Sequence, residues 1–175
     1  VVRDFEARMF LLTMFVSVLG IAVFLAAHQV YPTFAESLRH AAFNVVSIAT
    51  TTGFASVDYA QWPIFAPVLM LFLCSIATCA GSTGGGIKMI RAVLLLKGAR
   101  RELKRIVHPR AVVPVTLGGS VVDANVLQSV LAFMLIYGAV MVGATMLLLF
   151  SGLDVVSAFT AVIASINNTG PGLGQ

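Results

Sequence analysis

Residues Phe34 to Phe54 read Phe-Ala-Glu-Ser-Leu-Arg-His-Ala-Ala-Phe-Asn-Val-Val-Ser-Ile-Ala-Thr-Thr-Thr-Gly-Phe. The segment 34–49 is mostly apolar with helical spacing, and Thr50-Thr51-Thr52-Gly53-Phe54 breaks that pattern. A helix of this length rises about 24 Å, less than the ~30 Å hydrocarbon core of a bilayer. A short apolar helix ending in a Thr/Gly turn fits a re-entrant element. Irregular backbone at membrane depth is tolerated only where protein buries it or a water-filled cavity meets it. The pattern returns at an offset of 117 residues. Asp154 to Ile166 is a second short apolar segment, with Asp154 as its N-cap, and Asn167-Asn168-Thr169-Gly170-Pro171-Gly172 is a second turn. Gly53 overlays Gly170, Thr52 overlays Thr169, and Thr51 overlays Asn168. A span, a half-length helix and a TG turn thus occur twice.

The flanking sequence places both units in a membrane. The chain has 175 residues, 59% hydrophobic and 10% charged, with a mean hydropathy of +0.98. A soluble domain carries about 25% charged residues, so a very apolar soluble domain is a poor fit. Met9–Val30, Trp62–Ile87 and Val126–Phe150 contain no formal charge and are 22, 26 and 25 residues long. About 20 residues suffice to cross. The net charge of +4 does not mark a nucleic-acid binder, because eight of the eleven Lys and Arg residues lie between Lys88 and Arg110. A basic cluster behind an apolar run reads as the cytoplasmic end of a span, with anionic lipid as a further contact.

The expected architecture is all-α and integral to the membrane, built from pseudo-repeats of helix, pore helix, filter loop and helix. Residues 1–110 form one pore repeat: span 9–30, ended by Tyr31-Pro32, pore helix 34–49, filter 50–54, a broken span 62–96 and a basic cytoplasmic end. Residues 98–107 could form an amphipathic surface helix. Residues 111–124 are a cytoplasmic connector, with room for a short hairpin at Gly118-Gly119, and residues 125–175 are a second pore repeat that stops after its filter loop. Val1 and Gln175 are read as cuts in a longer chain.

The chemistry rests on neutral oxygens. A cation entering a narrow pore sheds water, and backbone carbonyls replace it without the trapping that fixed anions would cause. Glycine permits backbone angles closed to residues with a Cβ. Thr51, Thr52, Gly53 and Phe54, with Asn168, Thr169, Gly170 and Pro171, are the candidate filter residues. The plain alternative for one copy is a glycine C-cap. Gly81, Ser82, Thr83, Gly84, Gly85 and Gly86 interrupt the second span. Consecutive glycines cost roughly 1 kcal/mol each relative to alanine in a helix, so a loop is expected, with tight packing through small residues as the alternative. The run does not make a phosphate-binding P-loop, since Ile87 separates Gly86 from Lys88. Lys88 and Arg91 are candidate pore-proximal cations or snorkelling residues.

Other residues carry weaker signals. Asp58 and Glu36 could attract cations at the outer mouth or simply solvate a loop. Cys74 and Cys79 lie in an apolar run as packing residues, and His28, His40 and His108 are too scattered for a metal site. No arrangement suggests an enzyme. A sodium- or proton-coupled carrier with broken helices is disfavoured because no acidic residue falls within the three apolar runs. A non-transporting scaffold is the other alternative.

Thr50-Thr51-Thr52-Gly53-Phe54-Ala55 with Asp58 and Trp62-Pro63, then Gly81-Ser82-Thr83-Gly84-Gly85-Gly86-Ile87-Lys88 and Arg91, then Asn167-Asn168-Thr169-Gly170-Pro171-Gly172, together resemble the second half of a Trk/Ktr/HKT potassium transporter subunit. The resemblance covers essentially the whole chain and implies the third and most of the fourth of four repeats around one pore. It implies potassium as the transported ion, K+ held at the filter, no cofactor, and an intramembrane gate at 81–86. It also implies a multi-pass protein of the bacterial inner membrane, two further repeats upstream, a homodimer, and a cytoplasmic nucleotide-binding regulatory subunit. One glycine per filter strand departs from the TVGYG signature of potassium channels, which leaves sodium as a second possible permeant ion.

Overall fold

A computed structural model describes residues 5–82, 84–108, 113–170 and 172. Its described elements are α1 (Phe5–Ala27), α2 (Phe34–Ala49), α3 (Phe65–Ile76), α4 (Met89–Val107), β1 (Thr116–Leu117), β2 (Ser120–Val121), α5 (Ala124–Phe150) and α6 (Val155–Ile166). A 3-10 turn, Tyr59–Gln61, precedes α3. Helix dominates because apolar runs at membrane depth must satisfy their own backbone groups.

Helices α1 and α5, of 23 and 27 residues, are long and apolar enough to cross a membrane. Much of their apolar surface faces outward. Leu11, Phe15 and Val16 of α1 and Leu135, Ile136 and Leu147 of α5 are all more than half exposed. Helix α1 begins four residues before the first apolar run and takes in Glu6 and Arg8. It ends before Tyr31-Pro32. Gln29, at φ 51°, takes the left-handed cap position, and Val30 N–H returns to the Leu25 carbonyl at 3.1 Å.

Helix α2 folds back against α1 and α3. Thr33 caps its start by accepting from the Glu36 N–H at 3.3 Å. Its face Ala41, Val45 and Ile48 is fully buried with Ile21, Leu25, Ala66 and Met70. The corner between α1 and α3 is pinned by Trp62, 5% exposed, whose Nε1 donates to the Tyr31 hydroxyl at 3.1 Å. Asp58 is used locally, accepting from the Ala60 N–H and from Gln61 Nε2 at 3.1 and 3.0 Å.

Helix α4 runs unbroken from Met89 to Val107, through the boundary between apolar Leu96 and basic Lys97. The expected separate surface helix is therefore the second half of α4. The hairpin pairs Thr116 with Val121 and Leu117 with Ser120, turning at Gly118 and Gly119, both at positive φ. Val115 packs with Leu94, Leu127 and Val130. Lys97 Nζ donates to the Thr116 carbonyl at 2.6 Å.

Helix α6 starts on Asp154, whose carboxylate accepts from the Val156 and Ser157 N–H groups at 3.1 Å each. Hydrogen bonds from Ser157, side chain and main chain, hold this carboxyl below its ordinary pKa range.

Tyr31→Phe leaves the buried Trp62 donor without its partner, at a cost of about 1–3 kcal/mol. A thermal scan of the detergent-solubilised full-length protein should show a Tm several degrees lower, and an unchanged Tm would remove this bond from the fold's supports.

Candidate functional site

The two turns that end α2 and α6 have the same backbone. Thr51 and Asn168 sit at φ 58° and 59°, and Gly53 and Gly170 at φ 81° and 94°. The hydrogen bonds match position by position. Thr51 N–H returns to Ile48 O at 3.1 Å and Thr52 N–H to Ser47 O at 2.8 Å; Asn168 N–H returns to Ser165 O at 3.2 Å and Thr169 N–H to Ala164 O at 2.9 Å. This is a Schellman cap in both cases. Its left-handed position is filled by Thr51 or Asn168, not by glycine. Such an angle is tolerated by asparagine and is uncommon for a β-branched residue. Gly53 and Gly170 therefore do not cap the helices. Each supplies a second left-handed bend two residues later, within the loop.

Buried amides brace both turns. Asn44, fully buried, donates to the His40 carbonyl at 2.8 Å and to Ser56 Oγ at 3.0 Å, and accepts from the Ser56 N–H at 3.2 Å. It clips the chain leaving the first turn onto α2. Asn167, also fully buried, donates to Ile163 O at 2.8 Å and to Ser75 Oγ at 3.0 Å, and accepts from the Tyr137 hydroxyl at 3.4 Å. It ties α6 to α3 and α5. Phe54 is 71% exposed and points away from the core.

Between α3 and α4 the helix is broken from Ala77 to Lys88, earlier than the glycine run alone suggests. Met89 N–H closes the base of the loop onto Thr78 O at 2.8 Å, and Ile87 N–H reaches Ser75 O at 2.7 Å. Gly85 N–H donates to Asn167 O at 3.3 Å. A Cβ at Gly84 would overlap Thr78 Cγ2 and lie 3.4 Å from Thr51 Cγ2. At Gly85 it would overlap the Ile166 carbonyl oxygen, and at Gly86 the Asn167 Oδ1. The loop thus presses against both turns, and Gly84, Gly85 and Gly86 are required by contact. Gly81 and Ser82 lie apart from this wedge and are exposed. Thr83 and Pro171 lie outside the described residues.

Lys88 stands at the junction of loop and α4 with φ 69°. Arg91 is turned toward α5, its guanidinium 4.1 Å from the centroid of the Phe133 ring. Among the described residues no group of His, Cys, Asp and Glu could hold a metal ion, and Cys74 and Cys79 form no disulfide.

Residues 1–175 match the TrkH family of cation transport proteins. The chain belongs to that family. Over 172 residues, 98% of this chain, it is 44% identical to the Trk system potassium uptake protein TrkH of Escherichia coli strain K12 and covers 36% of that protein. It is 36% identical over 173 residues to the potassium uptake protein TrkG of the same strain, again covering 36% of it. The crystal structure of the potassium transporter TrkH from Vibrio parahaemolyticus superposes with a TM-score of 0.92 at 44% identity, covering 98% of this chain and 37% of that one. The chain therefore spans a little over a third of the length of these relatives, and its fold is the all-α membrane fold of a transport protein rather than an enzyme.

Asn44 and Asn167 were not among the residues singled out as a site. The signal for both is an amide set in an apolar helical pattern, which must find partners once buried. Gly86→Ala should be poorly tolerated, costing about 1–3 kcal/mol as overpacking and lowering the Tm of the full-length protein. Gly20→Ala, where nothing lies within 4 Å of the added Cβ, is the tolerated control. Equal behaviour of the two variants would mean the wedge is loose.

Proposed function

We propose that this TrkH-family chain supplies two walls of a cation pore and that the full-length protein uses it to take up potassium. The observation that carries the reading is the pair of matched turns, each with a second left-handed bend at a glycine. Residues 51–54 and 168–171 then serve as filter strands whose main-chain oxygens stand in for water around K+. A fixed carboxylate would bind the ion too tightly, and neutral carbonyls let it move on. The relatives named as potassium uptake proteins support potassium as the ion. The remaining two walls come from two further repeats of the full-length protein.

The loop 81–86 acts as the gate. Gly84–Gly86 press on Thr51 and Asn167, so the loop meets the inner side of both turns. Moving it aside opens the path. Lys88, at the root of this loop, tunes cation passage by repulsion. The basic half of α4 lies on the cytoplasmic side of a multi-pass inner-membrane protein, where it faces lipid headgroups and a nucleotide-binding regulatory subunit. The assembly is a homodimer.

Gly53→Ser and Gly170→Ser in the full-length protein place a Cβ at a left-handed bend, a strain of about 1–2 kcal/mol. Each should slow complementation of growth at limiting potassium and reduce K+ over Na+ discrimination by roughly tenfold, since 1.4 kcal/mol is a factor of ten. Unaltered growth and selectivity in both variants would rule out the filter. Lys88→Gln is expected to raise cation flux severalfold in proteoliposomes, and unchanged flux would remove Lys88 from the path.

A further inference from the structure

The segment between α3 and α4 is held unevenly. Its second half is locked, with Gly84 and Gly86 buried, no room for a Cβ at Gly84, Gly85 or Gly86, and main-chain bonds from Gly85 to Asn167 and from Ile87 to Ser75. Its first half is exposed in this chain. Ala80, Gly81 and Ser82 are exposed, and a Cβ at Gly81 would meet open space. The Ser82 N–H and hydroxyl both return to the Cys79 carbonyl, at 3.1 and 2.8 Å, so this arm folds on itself. A bond from Ala80 carries it to another element. Ala80 N–H donates to Glu6 Oε1 in the first turn of α1 at 2.8 Å, across 74 positions of sequence.

We infer that Glu6 is a positioning residue of the loop, a latch that holds the 79–82 arm against α1. Opening then begins as this arm leaves α1 about the base closed by Met89 and Thr78, and the tightly packed Gly84–Gly86 wedge moves after it. A carboxylate accepting from a main-chain N–H makes a stronger bond than a neutral acceptor. The donor lies on exposed backbone, so water can take the carboxylate's place when the arm leaves. That combination suits a contact that must hold and yet release. The plain alternative is that Glu6 only complements the N-terminal dipole of α1. The two differ in what they require: a dipole partner needs the charge, and a latch needs the acceptor oxygen at its present reach. The inference rests on the gate reading above for its functional meaning and on the Glu6–Ala80 bond for its geometry.

The test uses the full-length protein in proteoliposomes. Labelling is deuterium uptake at the main-chain N–H of Ala80, the bonded donor, and K+ flux is read on the same vesicles. Glu6→Ala should speed labelling on the order of tenfold, the factor for losing one charge-assisted bond. Glu6→Gln, which keeps an acceptor oxygen, should bring labelling back to within about twofold of the parent. Unchanged labelling in Glu6→Ala, or equal acceleration by Ala and Gln, overturns the latch. Faster labelling with unchanged flux upholds the latch and removes the gate role from the loop, so the two failures are told apart. If Glu6→Ala does not reach the membrane, Glu6→Asp, whose carboxylate falls one methylene short of Ala80, takes its place and should label fast; slow labelling in that variant overturns the latch.

Discussion

Backbone that leaves the helix at membrane depth must still have its polar groups bonded, and the described part of the segment from Ala77 to Lys88 answers that demand in part by borrowing acceptors from the rest of the chain. Ser75 and Thr78 give their carbonyls to Ile87 and Met89, Asn167 gives its carbonyl to Gly85, and Glu6 receives Ala80. Four separate parts of the fold meet here as a result. The end of α3, the start of α4, the second turn and the foot of α1 are each fixed with reference to one non-helical stretch. Helix α3 is 12 residues long because its continuation is bonded elsewhere.

This explains which parts of the architecture could be read from sequence. Helix α2 was bounded correctly at both ends because a Thr N-cap and a Thr/Gly turn punctuate a clear amphipathic pattern. Asp154 announced α6 in the same way. The all-α membrane character followed from runs too long and apolar for water. These are local signals, decided within a few residues. The break at Ala77 was not legible to the same accuracy, since Ala77-Thr78-Cys79-Ala80 contains no helix breaker. Its bonds reach residues such as Asn167, whose Nδ2 meets Ser75 across 92 positions. Arg91 illustrates the same limit. Sequence leaves it, like Lys88, as either a pore-proximal or a snorkelling cation, and its stacking on Phe133 depends on how α4 lies against α5.

The candidate site shows two uses of glycine that sequence alone had merged. At Gly53 and Gly170 the positive φ is the point: the cap position is already occupied by Thr51 or Asn168, and the later bend directs the loop. At Gly84, Gly85 and Gly86 the missing Cβ is the point, because side-chain or carbonyl atoms of Thr78, Ile166 and Asn167 fill that space. From sequence the glycine run is expected to be a loop, with close packing through small residues as the alternative. Contact on that scale makes its second half the least movable part of the loop, so motion starts on the exposed Ala80–Ser82 side.

The two turns share a backbone but not their supports, and the difference bears on what each can do. Asn44 holds the exit of the first turn through Ser56, beside His40, which stacks on Tyr31. That bracing lies within α2 and the chain leaving the turn, while Gly84 meets the same turn at Thr51. Asn167 holds the second turn from within, through Ser75 and Tyr137, and its own carbonyl takes the bond from Gly85. A displacement of the wedge therefore breaks a main-chain bond at the second turn and only a van der Waals contact at the first. The two turns are coupled to the loop unequally, with the stronger link at the turn where asparagine replaces threonine.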